Sequence, residues 1–233
     1  IGLPAVAGSF WLLVAIGLNH TSPVRPWAVL WAPAWAAVAL MLMLAVICYT
    51  TAYGPVLRCQ RRLELARCDL AHSEEHLKEA AVADPLAPEP PRELAGHLLA
   101  RWLHRPTSQT FAEFETSIEI ALRLAPNSAS TWLTAGELYR KAAESGRSEI
   151  AHRAAEEAVR TCRKAVDLYP NDALTTASLA RALRLAGKEA EFRRAADRAL
   201  RLHELTPHKD KKLPLVVLDE LRPAPSRSSP QEP

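Results

Sequence analysis

Charge is nearly absent from the first quarter of this chain: of its 29 basic and 26 acidic residues, one alone, Arg25, lies among the first 57 of 233 positions. Such a stretch cannot form the surface of a water-soluble domain, whose helices turn a polar face outward. Glycine is also sparse, with eight residues, and no glycine-rich phosphate loop or nucleophile elbow occurs. The four cysteines, Cys48, Cys59, Cys68 and Cys162, have no metal-ligand spacing and read as reduced, small apolar residues. The two signs of charge nearly cancel, leaving a formal net charge of +3, so nucleic-acid binding is not indicated. No cofactor is expected.

A run of about 20 apolar residues crosses a hydrocarbon core of about 30 Å as a helix. Two candidates qualify, Ile1 to Leu18 and Trp27 to Tyr49, separated by the polar turn Asn19-His20-Thr21-Ser22-Pro23 and followed by the helix breaker Gly54-Pro55. Packed in a soluble core, they would need more apolar partner surface than this chain offers. Trp27, Trp31 and Trp35 recur every four residues, which suits an interfacial anchor or a contact with another membrane helix. No basic segment precedes the first run, which argues against a secretory signal. Arg58, Arg61, Arg62 and Arg67 follow the second run, and the positive-inside rule then places everything after residue 55 in the cytoplasm. The apolar opening at Ile1, with no initiator Met, leads us to expect further spans upstream. The expected organisation is a transmembrane hairpin over 1–54, a juxtamembrane entry helix over 55–84, helical repeats over 85–208, and a Pro/Ser-rich basic tail over 209–233, largely disordered, with the disorder beyond Leu221.

Self-similarity at a fixed period marks repeat architectures. Trp132-x2-Ala135-Gly136-x2-Tyr139, followed by Ala158-x3-Cys162-x2-Ala165 and Pro170, resembles the tetratricopeptide pattern: a large residue, a small pair that lets helices approach, an aromatic, then a second helix ended by proline. Ala135 stands where the pattern has Leu, and Cys162 where it has an aromatic. Aligned positions are Pro91, Leu94, Ala95 and Leu98 in an earlier first helix, and Thr176, Leu179, Ala180 and Leu183 in a later one. The intervals, 41 residues from Pro91 to Trp132 and 44 on to Thr176, exceed the usual ~34, so insertions are expected within the pairs, around 103–110 and 143–149. Asp84-Pro85, Ala125-Pro126, Tyr169-Pro170 and Thr206-Pro207 each read as a helix stop.

The expected fold is therefore all-α: two transmembrane helices followed by a tetratricopeptide-like α-solenoid of about three helix pairs. Its packing is expected to rest on Leu94, Ala95, Trp132, Gly136, Tyr139, Ala165, Leu179 and Ala180. The apolar seam Leu63, Ala66, Leu70, Leu77 and Ala80 on the entry helix reads as a docking face for the first repeat or a short coiled coil.

His72-Ser73-Glu74-Glu75-His76 has the H-x-x-E-H form of an inverted zinc-protease motif. Neither a third ligand nor a cleft accompanies it, and it reads as a solvated helix face. No catalytic, cofactor-binding or metal residue is assigned. What remains is a surface. The first helices of such repeats line a groove, and helix geometry turns Arg92, Glu137, Arg140, Lys141, Arg181 and Arg184 towards it. Five basic groups and one acidic group predict an acidic peptide of a protein partner; an ordinary solvated Arg-rich face is the alternative.

The order of parts carries a wider resemblance. Gly2-Leu3-Pro4-Ala5-Val6-Ala7-Gly8-Ser9-Phe10-Trp11-Leu12-Leu13, the turn beginning Leu18-Asn19, the second apolar run, Ala83-Asp84-Pro85-Leu86-Ala87-Pro88-Glu89-Pro90 and Leu205-Thr206-Pro207-His208-Lys209-Asp210-Lys211-Lys212-Leu213 together resemble the C-terminal part of bacterial O-antigen ligase and polymerase-like membrane proteins with tetratricopeptide tails. The resemblance implies a multi-pass protein of the bacterial inner membrane that handles lipid-linked glycans in envelope polysaccharide assembly. It also implies that the chemistry lies upstream, in a large external loop. His20 and Arg25 match no family motif, and no catalytic role is carried over to them. Two readings follow: the tail of a glycan ligase or polymerase that recruits protein partners, or a self-standing membrane-tethered scaffold.

Overall fold

A computed structural model of the protein describes residues 31–145, 148–208 and 212–222, and these are all-helical, with no strand among them. They belong to two units, divided between Thr51 and Ala52.

The first unit contains α1, Trp31–Cys48, which has no charged residue. Trp35, Leu42 and Val46 are 63%, 63% and 61% exposed. An all-apolar helix must be covered by protein or by lipid, and here protein buries 0% of its apolar window. The run Trp35–Cys68 is the one helix among the described residues long and apolar enough to cross a membrane. It begins within the second expected span. The first, Ile1 to Leu18, lies outside the described residues, as do Trp27 and Arg25, so the described residues provide one span and not the expected hairpin. After Cys48 the backbone widens into a π-helical turn, Tyr49–Tyr53. Thr50 donates to the Val46 carbonyl at 2.9 Å and Thr51 to the Ile47 carbonyl at 2.6 Å, which supplies partners where the helical ladder changes spacing.

In the second unit, Gly54-Pro55 does not end a helix. It opens α2, Gly54–Cys68, where proline in the first turn removes no helical hydrogen bond. The expected single entry helix over 55–84 is two helices, α2 and α3, Ser73–Ala83. The break is local chemistry: Asp69 Oδ1 accepts from the backbone of Ala71 at 3.2 Å, closing an Asx turn, and Oδ2 lies 2.9 Å from His72 Nδ1. The expected seam is real but folded on itself. Leu63 and Ala66 from α2 meet Leu77 and Ala80 from α3 in a small core with Cys59, while Leu70, in the turn, is 77% exposed.

Three further pairs follow: α4, Glu89–His104, with α5, Ser108–Leu124; α6, Ala129–Glu144, with α7, Ser148–Leu168; and α8, Ala173–Leu185, with α9, Glu189–Leu205. Helices α3, α5, α7 and α9 end at or just before Asp84-Pro85, Ala125-Pro126, Tyr169-Pro170 and Thr206-Pro207. Thr107, Ser128 and Asp172 cap α5, α6 and α8 by accepting a backbone N–H three residues on. Each second helix also touches the next first helix, and α4, α6 and α8 touch in succession. The expected insertion at 103–110 is not a loop, and at 143–149 the described residues other than Ser145 are helical. The helix ends leave only short connections there, and the extra length lies in the helices, 21 residues in α7.

One continuous core runs from Ala95 to Leu221. Trp102, Phe111, Phe114 and Tyr139 form a chain of tilted and edge-on rings with centroids 5.1–5.4 Å apart, linking α4, α5 and α6. Gly136 of α6 meets α7 so closely that a Cβ there would lie 2.4 Å from Cys162 Sγ. Cys162 is 1% exposed and fills the space against that glycine where the repeat pattern has an aromatic.

The tail adds a helix that ends at Leu221, beyond which disorder is expected. Leu213, Val217, Leu218 and Leu221 are buried, and α10, Leu215–Leu221, packs on α8 and α9. Residues 212–222 are thus part of the fold, because their four apolar side chains cover the end of the last pair; the rest of 209–233 lies outside the described residues.

Candidate functional site

Helices α5 to α9 enclose three adjoining clefts of about 570, 350 and 360 Å³. Trp132 and Arg160 line the first and second, and Arg163 lines the second and third, so successive clefts share wall side chains, and the three together are called the trough. Its floor is apolar: Ile118 and Leu122 in the first, Val159 in the second, Val166, Leu179 and Leu183 in the third. Trp132 is held by its indole N–H, which donates to the Pro126 carbonyl at 2.9 Å, so the helix-stop proline also orients a trough side chain.

The charge of the rim changes sign along the trough. In the first cleft Glu115, Glu119 and Glu157 outnumber Arg123 and Arg160; in the third, Arg163, Arg194 and Arg198 face Glu191. Several of these charges are already paired. Arg153 holds Glu115 at 2.5 Å, Arg160 holds Glu157 at 2.7 Å, Lys188 holds Glu156 at 2.6 Å, and Arg163 pairs with Glu191. Burial raises the Glu115 carboxyl above its usual range and Arg153 opposes that shift. The Lys188 ammonium keeps Glu156 below it. Arg194 and Arg198 differ: they donate only to the backbone carbonyls of Ala190 and Pro170, and among the described residues neither meets a carboxylate. Lys164, on the rim of the second cleft, has no carboxylate partner among the described residues either.

None of the six residues expected to line the groove lines this trough. Arg140 is buried and clamped between Glu137, at 2.8 Å, and Glu144 of its own helix. Arg181 pairs with Glu220 at 2.7 Å, and Arg184 donates to the Glu220 backbone carbonyl at 2.7 Å with its guanidinium over the Phe192 ring. Arg92 is half-buried and Lys141 exposed, and neither joins those two groups. The structure therefore brings together Glu137 with Arg140, and Arg181 with Arg184, but not all six. The reason is angular: Thr176 and Leu179 line the third cleft, and Arg181 and Arg184 follow each by five residues, about 140° around the helix at 3.6 residues per turn. The missed residues lie on second helices, where the i, i+4 spacing of Arg194 and Arg198 was the available signal.

The packing residues fall as follows. Ala95, Gly136, Tyr139, Ala165 and Ala180 are buried; Leu94, Trp132 and Leu179 are half-buried against the core. His72 precedes α3 and bonds Asp69, and among the described residues no three His, Cys, Asp or Glu side chains gather closely enough to hold a metal ion. Burial pushes the Cys162 thiol up to about 12, the opposite of an activated nucleophile.

Compared with known proteins, the chain matches no family model and no curated relative.

Proposed function

We propose that this chain is a membrane-anchored protein-interaction module: an apolar helix tethers a tetratricopeptide-like α-solenoid whose trough takes an acidic segment of a protein partner. The observation that carries the reading is α1, charge-free and uncovered by protein, in the same chain as stacked helix pairs with an apolar-floored, partly basic trough. The binding chemistry moves from the first-helix residues to Lys164, Arg194 and Arg198, whose charge no described carboxylate neutralises. A carboxylate reaching Arg194 and Arg198 gains charge-assisted hydrogen bonds there, while apolar partner side chains settle on Val166, Leu179 and Leu183. Arg58, Arg61 and Arg62, the first charges after α1, support a cytoplasmic solenoid at the bacterial inner membrane.

The wider setting in this proposal is the C-terminal portion of an O-antigen ligase- or polymerase-like protein, supported by the resemblance of residues 2–13, 83–90 and 205–213. The solenoid there recruits partners of envelope polysaccharide assembly. The deciding experiment is capture of partners from membranes with the native chain and with Lys164→Glu/Arg194→Glu/Arg198→Glu. Loss of acidic-segment partners in the variant is expected; an unchanged partner set overturns the trough as the binding site. An immunoblot of source membranes separates the settings, since a native product near 25.6 kDa would leave a self-standing scaffold.

A further inference from the structure

The α2–α3 hairpin carries a separate cleft, of about 760 Å³, lined by Arg58, Arg61, Arg62 and Lys78, one carboxylate, Glu79, and the aliphatic Leu65, Val82 and Ala83. We infer that this cleft binds the anionic headgroup of a phospholipid at the membrane surface; the inference rests on the reading of α1 as a membrane anchor.

Two of the four cations are compensated within the protein. Arg62 pairs with Glu79 at 2.9 Å and Lys78 with Glu74 at 2.8 Å. Arg58 spends its Nε on the Gly54 carbonyl at 3.2 Å, and among the described residues neither Arg58 nor Arg61 meets a carboxylate. Two guanidinium forks are thus left with planar donors that match phosphate oxygens. The apolar part of the cleft is equally open: Val82 is 80% exposed, Leu65 37%, and Leu57 on the same helix as the arginines 49%. A small free anion has no use for bare aliphatic surface beside its cations. A lipid does, because its phosphate sits directly above its acyl chains.

The cleft's arginines follow the apolar run closely in sequence. Arg58 follows Cys48, the last residue of α1, by ten positions, and ten residues span at most ~35 Å. Clusters of four or more Lys and Arg close to a span are attracted to anionic lipid. The linear sequence supplies three of these cations. Lys78 joins them only because the Asp69 turn folds α3 back on α2.

The test uses the full chain purified in detergent and titrated with dihexanoylphosphatidylglycerol, dihexanoylphosphatidylcholine or inorganic phosphate, with the unfolding midpoint read by circular dichroism. Phosphatidylglycerol alone is expected to raise the midpoint. Arg58→Gln/Arg61→Gln should raise the half-effective concentration of that lipid roughly thirtyfold, the equivalent of about 1 kcal/mol for each cation. Equal responses to the two lipids, a response to inorganic phosphate alone, or a lipid response unchanged in the variant overturns the inference. Alkaline carbonate extraction of native membranes reads the anchor separately. A chain released by carbonate sinks the anchor reading, whereas a chain that stays in the membrane but shows no phosphatidylglycerol preference sinks the headgroup site alone.

Discussion

Arg181 of α8 holds Glu220 of α10 at 2.7 Å, and Arg184, one turn on, donates to the backbone carbonyl of the same residue. Two of the basic groups expected to receive a foreign acidic peptide, Arg181 and Arg184, receive the chain's own C-terminal helix. Because Arg181 and Glu220 are part-exposed, the pair itself contributes little; Glu220→Gln should cost about 0.2–1 kcal/mol. Leu221, 2% exposed, is the stronger attachment, and Leu221→Ala should cost about 2–3 kcal/mol. Urea denaturation of both variants checks the ranking, and a larger loss for Glu220→Gln would contradict it.

Gly136 is fixed by its neighbour across the pair. With a Cβ placed 2.4 Å from Cys162 Sγ and 3.1 Å from Thr161 Oγ1, Gly136→Ala should destabilise by about 1–3 kcal/mol through overpacking. Cys162→Ala in the same chain removes the clashing sulfur. The double variant should therefore recover part of the loss, a coupling read from a double-mutant cycle of unfolding free energies. Strict additivity would mean that α6 and α7 move apart instead.

The acid limb of stability should carry a signature of Glu74. Its hydrogen bond from Lys78, and the charge of Arg101 on α4, hold its carboxyl below the usual value of 4.5. A depressed folded value means that Glu74 stabilises the protein above the unfolded pKa, and that this contribution is lost as the pH falls through the folded one. Glu74→Gln should lower stability near neutral pH by less than ~1 kcal/mol, as expected for part-exposed pairs, and by less still at pH 3. Urea midpoints at pH 3, 5 and 7 would show the two curves converging in acid; parallel curves would remove Glu74 from the acid response.

The cysteines should separate by reactivity. Cys68 is exposed, whereas Cys162 is buried with its thiol pushed up to about 12. Maleimide should label Cys68 in the native protein and reach Cys162 only after unfolding. Peptide mapping after timed labelling would show it, and early modification of Cys162 would mean that α6 and α7 open readily.

Local signals in the sequence located most helix ends. Asp84-Pro85, Ala125-Pro126, Tyr169-Pro170 and Thr206-Pro207 mark them because proline cannot continue a helix, whatever the tertiary setting. Apolar composition likewise marked α1. What escaped were features set by competition or by angle. Asp69 breaks the entry helix because its side chain offers the backbone a turn, a choice that the continuous apolar pattern from Leu63 to Ala80 conceals. Arg181 and Arg184 looked like ligand-binding groups because their helix had been identified, but the face on which they fall depends on a rotation of 100° per residue and on a tail helix not foreseen. Arg194 and Arg198 went unremarked because pairing, and not sequence, decides which arginines keep their charge available.

An apolar face at the end of a set of packed helices is as adhesive as one inside it. Leu213, Val217, Leu218 and Leu221 take up that face from within the same chain. The short helix α10 thus closes the last described helix pair with side chains of the same chain, and leaves neighbouring molecules less bare apolar surface there to pack on.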